Sequence, residues 1–258
     1  MSRKFLFLIV FALGSILPSN AQFGFSHEIG VIAGPVAFQS DYGLRGDFET
    51  NIGNTGIGVG LIHYLNFAYR ADCNCYRPES YFNDHFKLRS ELSWNKTKLE
   101  HFGKWADKQT IGGQQLRAMH GSTSVTNVGV QLEYFPLSIR EFSYSVGKLA
   151  PFISLGAQYS YYKPTVESDL GRIDQPGVLF PKYIGGVTND DGSTFSIVGS
   201  VGTRYKLTTL SDLMLDLRWQ YYFSNWVDGV NPDSRIYTEN KANDWNVWLN
   251  VGYIYYLD

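Results

Sequence analysis

Between Trp245 and Leu257 the chain places an apolar side chain at every second position: Trp245, Val247, Leu249, Val251, Tyr253, Tyr255 and Leu257. Asn246, Asn250 and Gly252 fall between them, with Trp248, Ile254 and Tyr256 as exceptions. Side chains alternate across a strand, so this segment has one greasy, aromatic face and one small or polar face. Comparable segments recur along the chain. Repeated strands of this kind mark a transmembrane β-barrel, apolar toward lipid and polar toward its lumen.

Seven earlier segments carry the same period. Residues 27–38 set Ile29, Val31 and Ala33 against Glu28, Gly30 and Gly34. Residues 56–69 set Ile57, Val59, Leu61, Leu65, Phe67 and Tyr69 against Gly58, Gly60, Tyr64 and Asn66. In 86–96, Phe86, Leu88, Leu92 and Trp94 oppose Lys87, Arg89, Glu91, Ser93 and Asn95. In 125–135, Val128, Val130, Leu132 and Tyr134 oppose Asn127, Gly129, Gln131 and Glu133. Residues 152–162, 194–207 and 213–223 repeat the pattern. The expected fold is therefore all-β: an eight-stranded antiparallel barrel, closed and plugged by its own side chains, with both chain ends on the periplasmic side. A soluble ligand-binding barrel or a β-sandwich would turn the apolar face inward instead. Mid-strand charges and glycines on the polar face favour the membrane reading.

The first residues support export. Arg3 and Lys4 precede an apolar run over 5–17, and Ser19-Asn20-Ala21 supplies a small-x-small site. This reads as a signal peptide over residues 1–21, leaving a barrel domain of 22–258 in the outer membrane. Over the whole chain, 22 bases stand against 24 acids; without Arg3 and Lys4 the balance is 20 against 24, net −4. No basic excess suggests nucleic acid. A mean hydropathy of −0.19 does not argue for a soluble protein, because barrel strands dilute their apolar residues with polar ones.

The inward face is expected to hold Glu28, Glu91, Glu133 and Asp216 with Lys87, Arg89, Arg204, Lys206 and Arg218. An eight-stranded barrel is about wide enough for its own side chains, and buried charges must pair. The set reads as a plug; an ion or proton path is the alternative. Outward aromatics such as Trp94, Tyr134, Tyr159, Tyr161, Trp219, Tyr221, Tyr253 and Tyr255 would form the interfacial girdles. Connections near 39–55, 102–124, 167–192 and 227–243 are long and rich in Gly, Asp and Asn, which places them outside the cell. Turns near 136–149 and 208–212 would be periplasmic. The link 71–85 is long for a periplasmic turn.

Chemistry is sparse. His63 breaks the lipid face, but no Ser and acid are obviously placed beside it. His101 with Glu100, and His120 with loop acids, are the candidates for a rim hydrolase. Cys73 and Cys75 could pair with each other or with a partner in an oxidising periplasm. Arg45-Gly46-Asp47 is an adhesion-like tripeptide that ordinary turn chemistry also explains. Asn189-Asp190-Asp191-Gly192 is a weak calcium candidate and an ordinary turn. No cofactor or metal is expected, and no enzyme activity.

Four motifs in strand order carry a family resemblance: His27-Glu28-Ile29-Gly30, Ala150-Pro151-Phe152, Asp228-Gly229-Val230-Asn231-Pro232 and Asn243-Asp244-Trp245. Together the chain resembles the PorG-type outer-membrane barrels of Bacteroidota. The resemblance implies a barrel tied to type IX secretion and gliding motility, anchoring periplasmic ring proteins, with no catalytic residues. The link with Cys73 and Cys75 is longer than that pattern. The contact surface would be the periplasmic turns, with Cys73, Cys75, Arg77, Asp84, Arg140 and Glu141. A small barrel hydrolase, and a structural or adhesive barrel acting through its outer loops, are the other two readings.

Overall fold

The computed structural model describes residues 25–43, 47–51, 53–67, 80–237 and 242–257. The leader 1–21, Cys73, Cys75, Arg77, Arg45 and Gly46 lie outside the described residues. Eight strands, β1 (Ser26–Gln39), β2 (Thr55–Asn66), β3 (Phe86–Glu100), β4 (Met119–Tyr134), β5 (Leu149–Ser168), β6 (Gly192–Thr208), β7 (Ser211–Tyr222) and β8 (Trp245–Tyr256), pair in sequence order. β8 returns to β1, so the sheet is a closed antiparallel barrel. Closure leaves no unpaired sheet edge, which is the condition for crossing a bilayer with strands. Among the described residues no helix is long and apolar enough to cross a membrane.

The faces fall as the alternation requires. Leu61, Leu155 and Leu217 stand 60%, 66% and 48% exposed on the outside, whereas Glu28, Arg89, Glu133, Arg204 and Arg218 are fully buried within. That is the inverse of a soluble barrel, and it places the outside in lipid. The three exceptions in β8 are explained by the same geometry. Trp248, Ile254 and Tyr256 point inward and are buried. Trp248 packs into the space left by Gly58, whose missing Cβ would overlap its indole. Trp248 and Ile254 belong to an inner apolar cluster with Ile32, Val36, Ile62, Tyr64, Phe135, Phe152 and Met214.

Short helices lie in the connections: α1 (Phe48–Asn51), α2 (Tyr81–His85), α3 (Ile111–Ala118) and α4 (Ile139–Tyr144). One rim carries the short β6–β7 turn and the ends of β1 and β8, which makes it the periplasmic rim. Helices α2 and α4 brace it. Ile139 and Phe142 of α4 join the inner apolar cluster from below. At the opposite rim β4 starts at Met119 and β5 runs to Ser168, so both strands continue well past the apolar belt. A second apolar cluster, including Phe38, Tyr42, Leu99, Leu116, Tyr183 and Tyr222, fills that end.

Candidate functional site

The lumen is a single ion-pair network. Lys87 Nζ and Arg204 Nη1 reach Glu28 at 2.5 and 2.7 Å. Arg204 Nη2 also donates to Glu133 at 3.1 Å. Arg89 is the hub: it lies 2.8 Å from Glu91, 3.3 Å from Glu133 and 3.1 Å from Asp216. Arg218 grips both oxygens of Glu91 at 2.5 and 2.6 Å. Every sequence-predicted lumen charge is thus brought into contact with a partner, Lys206 included, at 3.1 Å from Asp212.

Asp212, which the sequence places in a turn, belongs to this set. It is fully buried and also accepts from the Tyr256 hydroxyl at 2.7 Å. With it, five acids (Glu28, Glu91, Glu133, Asp212, Asp216) face five bases (Lys87, Arg89, Arg204, Lys206, Arg218). Aromatic rings insulate the cations: Arg204 sits 4.1 Å over Tyr64, Lys206 3.7 Å over Tyr256 and Arg218 5.0 Å over Trp248. Toward the outer rim the network turns neutral. Gln220 Nε2 donates to Asn127 at 3.0 Å and to Ser196 at 2.9 Å, and Ser160 donates to Asn127 at 2.7 Å.

The histidines lie apart from one another, except for His27 and His63. Contrary to the expectation that no serine stands beside His63, strand pairing sets Ser90 directly across from it, a juxtaposition that one strand's periodicity cannot reveal. His63 Nε2 lies 3.0 Å from His27 Nδ1, and the two rings stack on the lipid side. No hydrogen bond joins Ser90 to His63 among the described residues, and Glu28 points the other way, into the lumen. His120 is half-buried, 3.6 Å from Glu167 and 4.0 Å from Asp169. No cluster of three or more metal-binding side chains occurs among the described residues. Asp191 is held by Lys163 at 2.9 Å and Tyr161 at 2.7 Å, as a turn before β6 requires.

His101 is not paired with Glu100. Its ring lies between Tyr42 and Tyr183, with centroids at 4.9 and 5.3 Å. Burial, with a smaller contribution from Lys182, pushes its pKa down to about 4, against a lesser upward pull from the Tyr42 backbone. A folded value below the ordinary 6.5 means that the neutral ring stabilises the outer loops fully above pH 6.5, and that this support is lost as pH falls toward 4. The loss amounts to about 3 kcal/mol. Histidine ring resonances in detergent micelles should show His101 titrating near pH 4, with faster amide exchange in residues 101–118 as it protonates. A midpoint near 6.5 would contradict the packing described here.

The predicted partner contacts divide. Asp84 of α2 accepts from Ser138 Oγ at 3.0 Å and from the Arg140 backbone at 3.1 Å. It therefore ties α2 to α4 within the rim. Glu141 is exposed, and Tyr81, Leu137, Tyr144 and Val146 are exposed apolar neighbours on the same rim.

No family model matches the chain, and no curated relative matches it. Solved structures overlay loosely. The attachment invasion locus protein Ail of Yersinia pestis shares 12% identity over 90% of this chain and 99% of its own, with a TM-score of 0.42. Neisserial surface protein A shares 14% over 89% and 96%, at 0.44. A major outer membrane protein from Thermus thermophilus shares 14% over 90% and 99%, at 0.46. The barrel assignment rests on the strand pairing itself.

Proposed function

We propose that this chain is a non-enzymatic outer-membrane barrel that anchors or assembles a protein-secretion complex, of the type IX, gliding-associated kind that its motifs resemble. Its bilayer partner is outer-membrane lipid, and its protein partners are periplasmic ring components. The observation that carries this reading is the contrast between lumen and rim. The interior charges are buried and pair with one another, which supports reading the lumen as structural. The periplasmic rim, by contrast, presents Tyr144 at 76% and Val146 at 55% exposure beside Glu141, the mixture of aromatic and charged groups that suits a protein contact.

Photo-crosslinkers at Glu141 and Tyr144, and in the link that holds Cys73, Cys75 and Arg77, should trap a periplasmic ring component in intact cells. A crosslinker on the outer loops, at Ile184, should not. Crosslinks to lipid alone at every rim position would overturn the anchoring role. The adhesive reading draws on a different feature, the convergence of all four outer loops on one cleft.

A further inference from the structure

Loops that merely cap a barrel need no common opening, yet here four of them build one. Tyr42 and Thr50 come from the first outer loop, His101, Trp105 and Lys108 from the second, Phe180 and Lys182 from the third and Tyr237 from the fourth. They surround a half-open cleft of about 560 Å³, within the usual size of small-ligand sites. Its walls are fixed to one another. The Tyr183 hydroxyl donates to the Asp41 carbonyl at 2.9 Å, joining the third loop to the first. Gln115 donates to the Gly177 carbonyl at 2.8 Å, joining the second to the third. Arg117 clamps the second loop on itself through the carbonyls of Ala106 and Lys108. A site preorganised in this way spends little binding energy on ordering its loops.

The chemistry of the lining is one-sided. Seven of its sixteen lining residues carry aromatic rings, and Trp105 is half exposed. Lys108 and Lys182 line it and no carboxylate does among the described residues, although acids outnumber bases in the chain as a whole. Lys108 Nζ rests 3.7 Å over the Trp105 ring, so charge and stacking surface are adjacent. Thr110, the cap of α3, and Gly112 in its first turn put that helix's N-terminus at the wall, where its dipole favours negative charge. In the same wall the buried Nε2 of His101 has no hydrogen-bond partner.

We propose that this cleft binds an anionic saccharide, with a sugar ring laid on Trp105 and its neighbouring aromatics and an acidic substituent held by Lys108, Lys182 and the start of α3. An aromatic platform suits the apolar face of a pyranose, and two lysines with no carboxylate among the described lining residues suit a sulfate, phosphate or uronate. Such a ligand has two sources outside the cell: a free acidic polysaccharide, or the phosphorylated sugar headgroup of the outer leaflet. This proposal is independent of the periplasmic role and stands if that role fails.

The full-length barrel in detergent is titrated with cellobiose sulfate, unsubstituted cellobiose and a deacylated bis-phosphorylated glucosamine disaccharide, following tryptophan fluorescence and heat. At least one charged sugar should bind at least tenfold more tightly than cellobiose, with affinity falling as salt rises. Tighter binding of the sulfate points to a free polysaccharide, and of the bis-phosphate to the leaflet headgroup. Trp105→Ala and Lys108→Ala should each weaken binding about tenfold, in line with about 1.4 kcal/mol per contact. Lys163→Ala, on β5 away from the cleft, should leave it unchanged. Both cleft residues are exposed, and unchanged heat-dependent migration of each variant confirms an intact barrel. No binding by either charged sugar, equal binding of cellobiose, or indifference to both cleft variants overturns the proposal.

Discussion

Arg89→Leu should destabilise the barrel by about 3–5 kcal/mol, the cost of breaking a buried ion network from one side. The effect follows from the number of acids that depend on this one guanidinium. Glu91, Glu133 and Asp216 all lie within 3.3 Å of it. Leucine would leave five buried acids facing four bases. Urea unfolding of the protein in lipid vesicles measures the loss. Adding Glu133→Gln to the variant restores the balance at four against four, and Arg204 keeps Glu28 and Asp212 as partners. The double variant should therefore recover more than half of the lost stability. An unchanged midpoint for Arg89→Leu would show that water reaches the lumen, and the plugged interior would have to be abandoned.

Trp248→Ala should cost a similar amount, about 3–5 kcal/mol, through the cavity it leaves in a packed interior. The indole is fully buried, stacks beside Arg218 and occupies the notch above Gly58. Gly58→Ala on its own forces the two groups together and should cost about 1–3 kcal/mol. In the Trp248→Ala background the same methyl enters empty space, so its cost should vanish or change sign. That coupling, read from a double-mutant cycle by the same unfolding measurement, separates direct packing from two independent defects. Additive losses would mean that Trp248 does not sit where this structure places it.

Much of the architecture can be read from residues such as Leu88, Leu155 and Leu217, because lipid imposes apolarity on every second position of a strand. The alternation fades where lipid ends. β4 and β5 continue to Met119 and Ser168 beyond the belt, in water, where neither face must be apolar, and their outer ends accordingly read as loop. Asp212 is hidden for the opposite reason. It follows a turn at the periplasmic end of β7, yet it points inward to Lys206. The Ser90–His63 juxtaposition is invisible because it depends on register between strands, which periodicity within one strand does not contain. The outer cleft depends on four loops meeting in space. Its only trace in the sequence is the presence of Trp105, Phe180 and Tyr237 in segments otherwise rich in Gly, Asp and Asn.

Glu28 belongs to β1, the strand that closes the cylinder against β8, but its cations stand on β3 and β6. Unzipping that seam toward the bilayer would drag the carboxylate out of reach of both, taking from Lys87 its ion-pair partner and from Arg204 one of three acids. The barrel is thus latched from within against opening sideways. Parting β1 from β8 therefore costs more than the backbone hydrogen bonds of the seam.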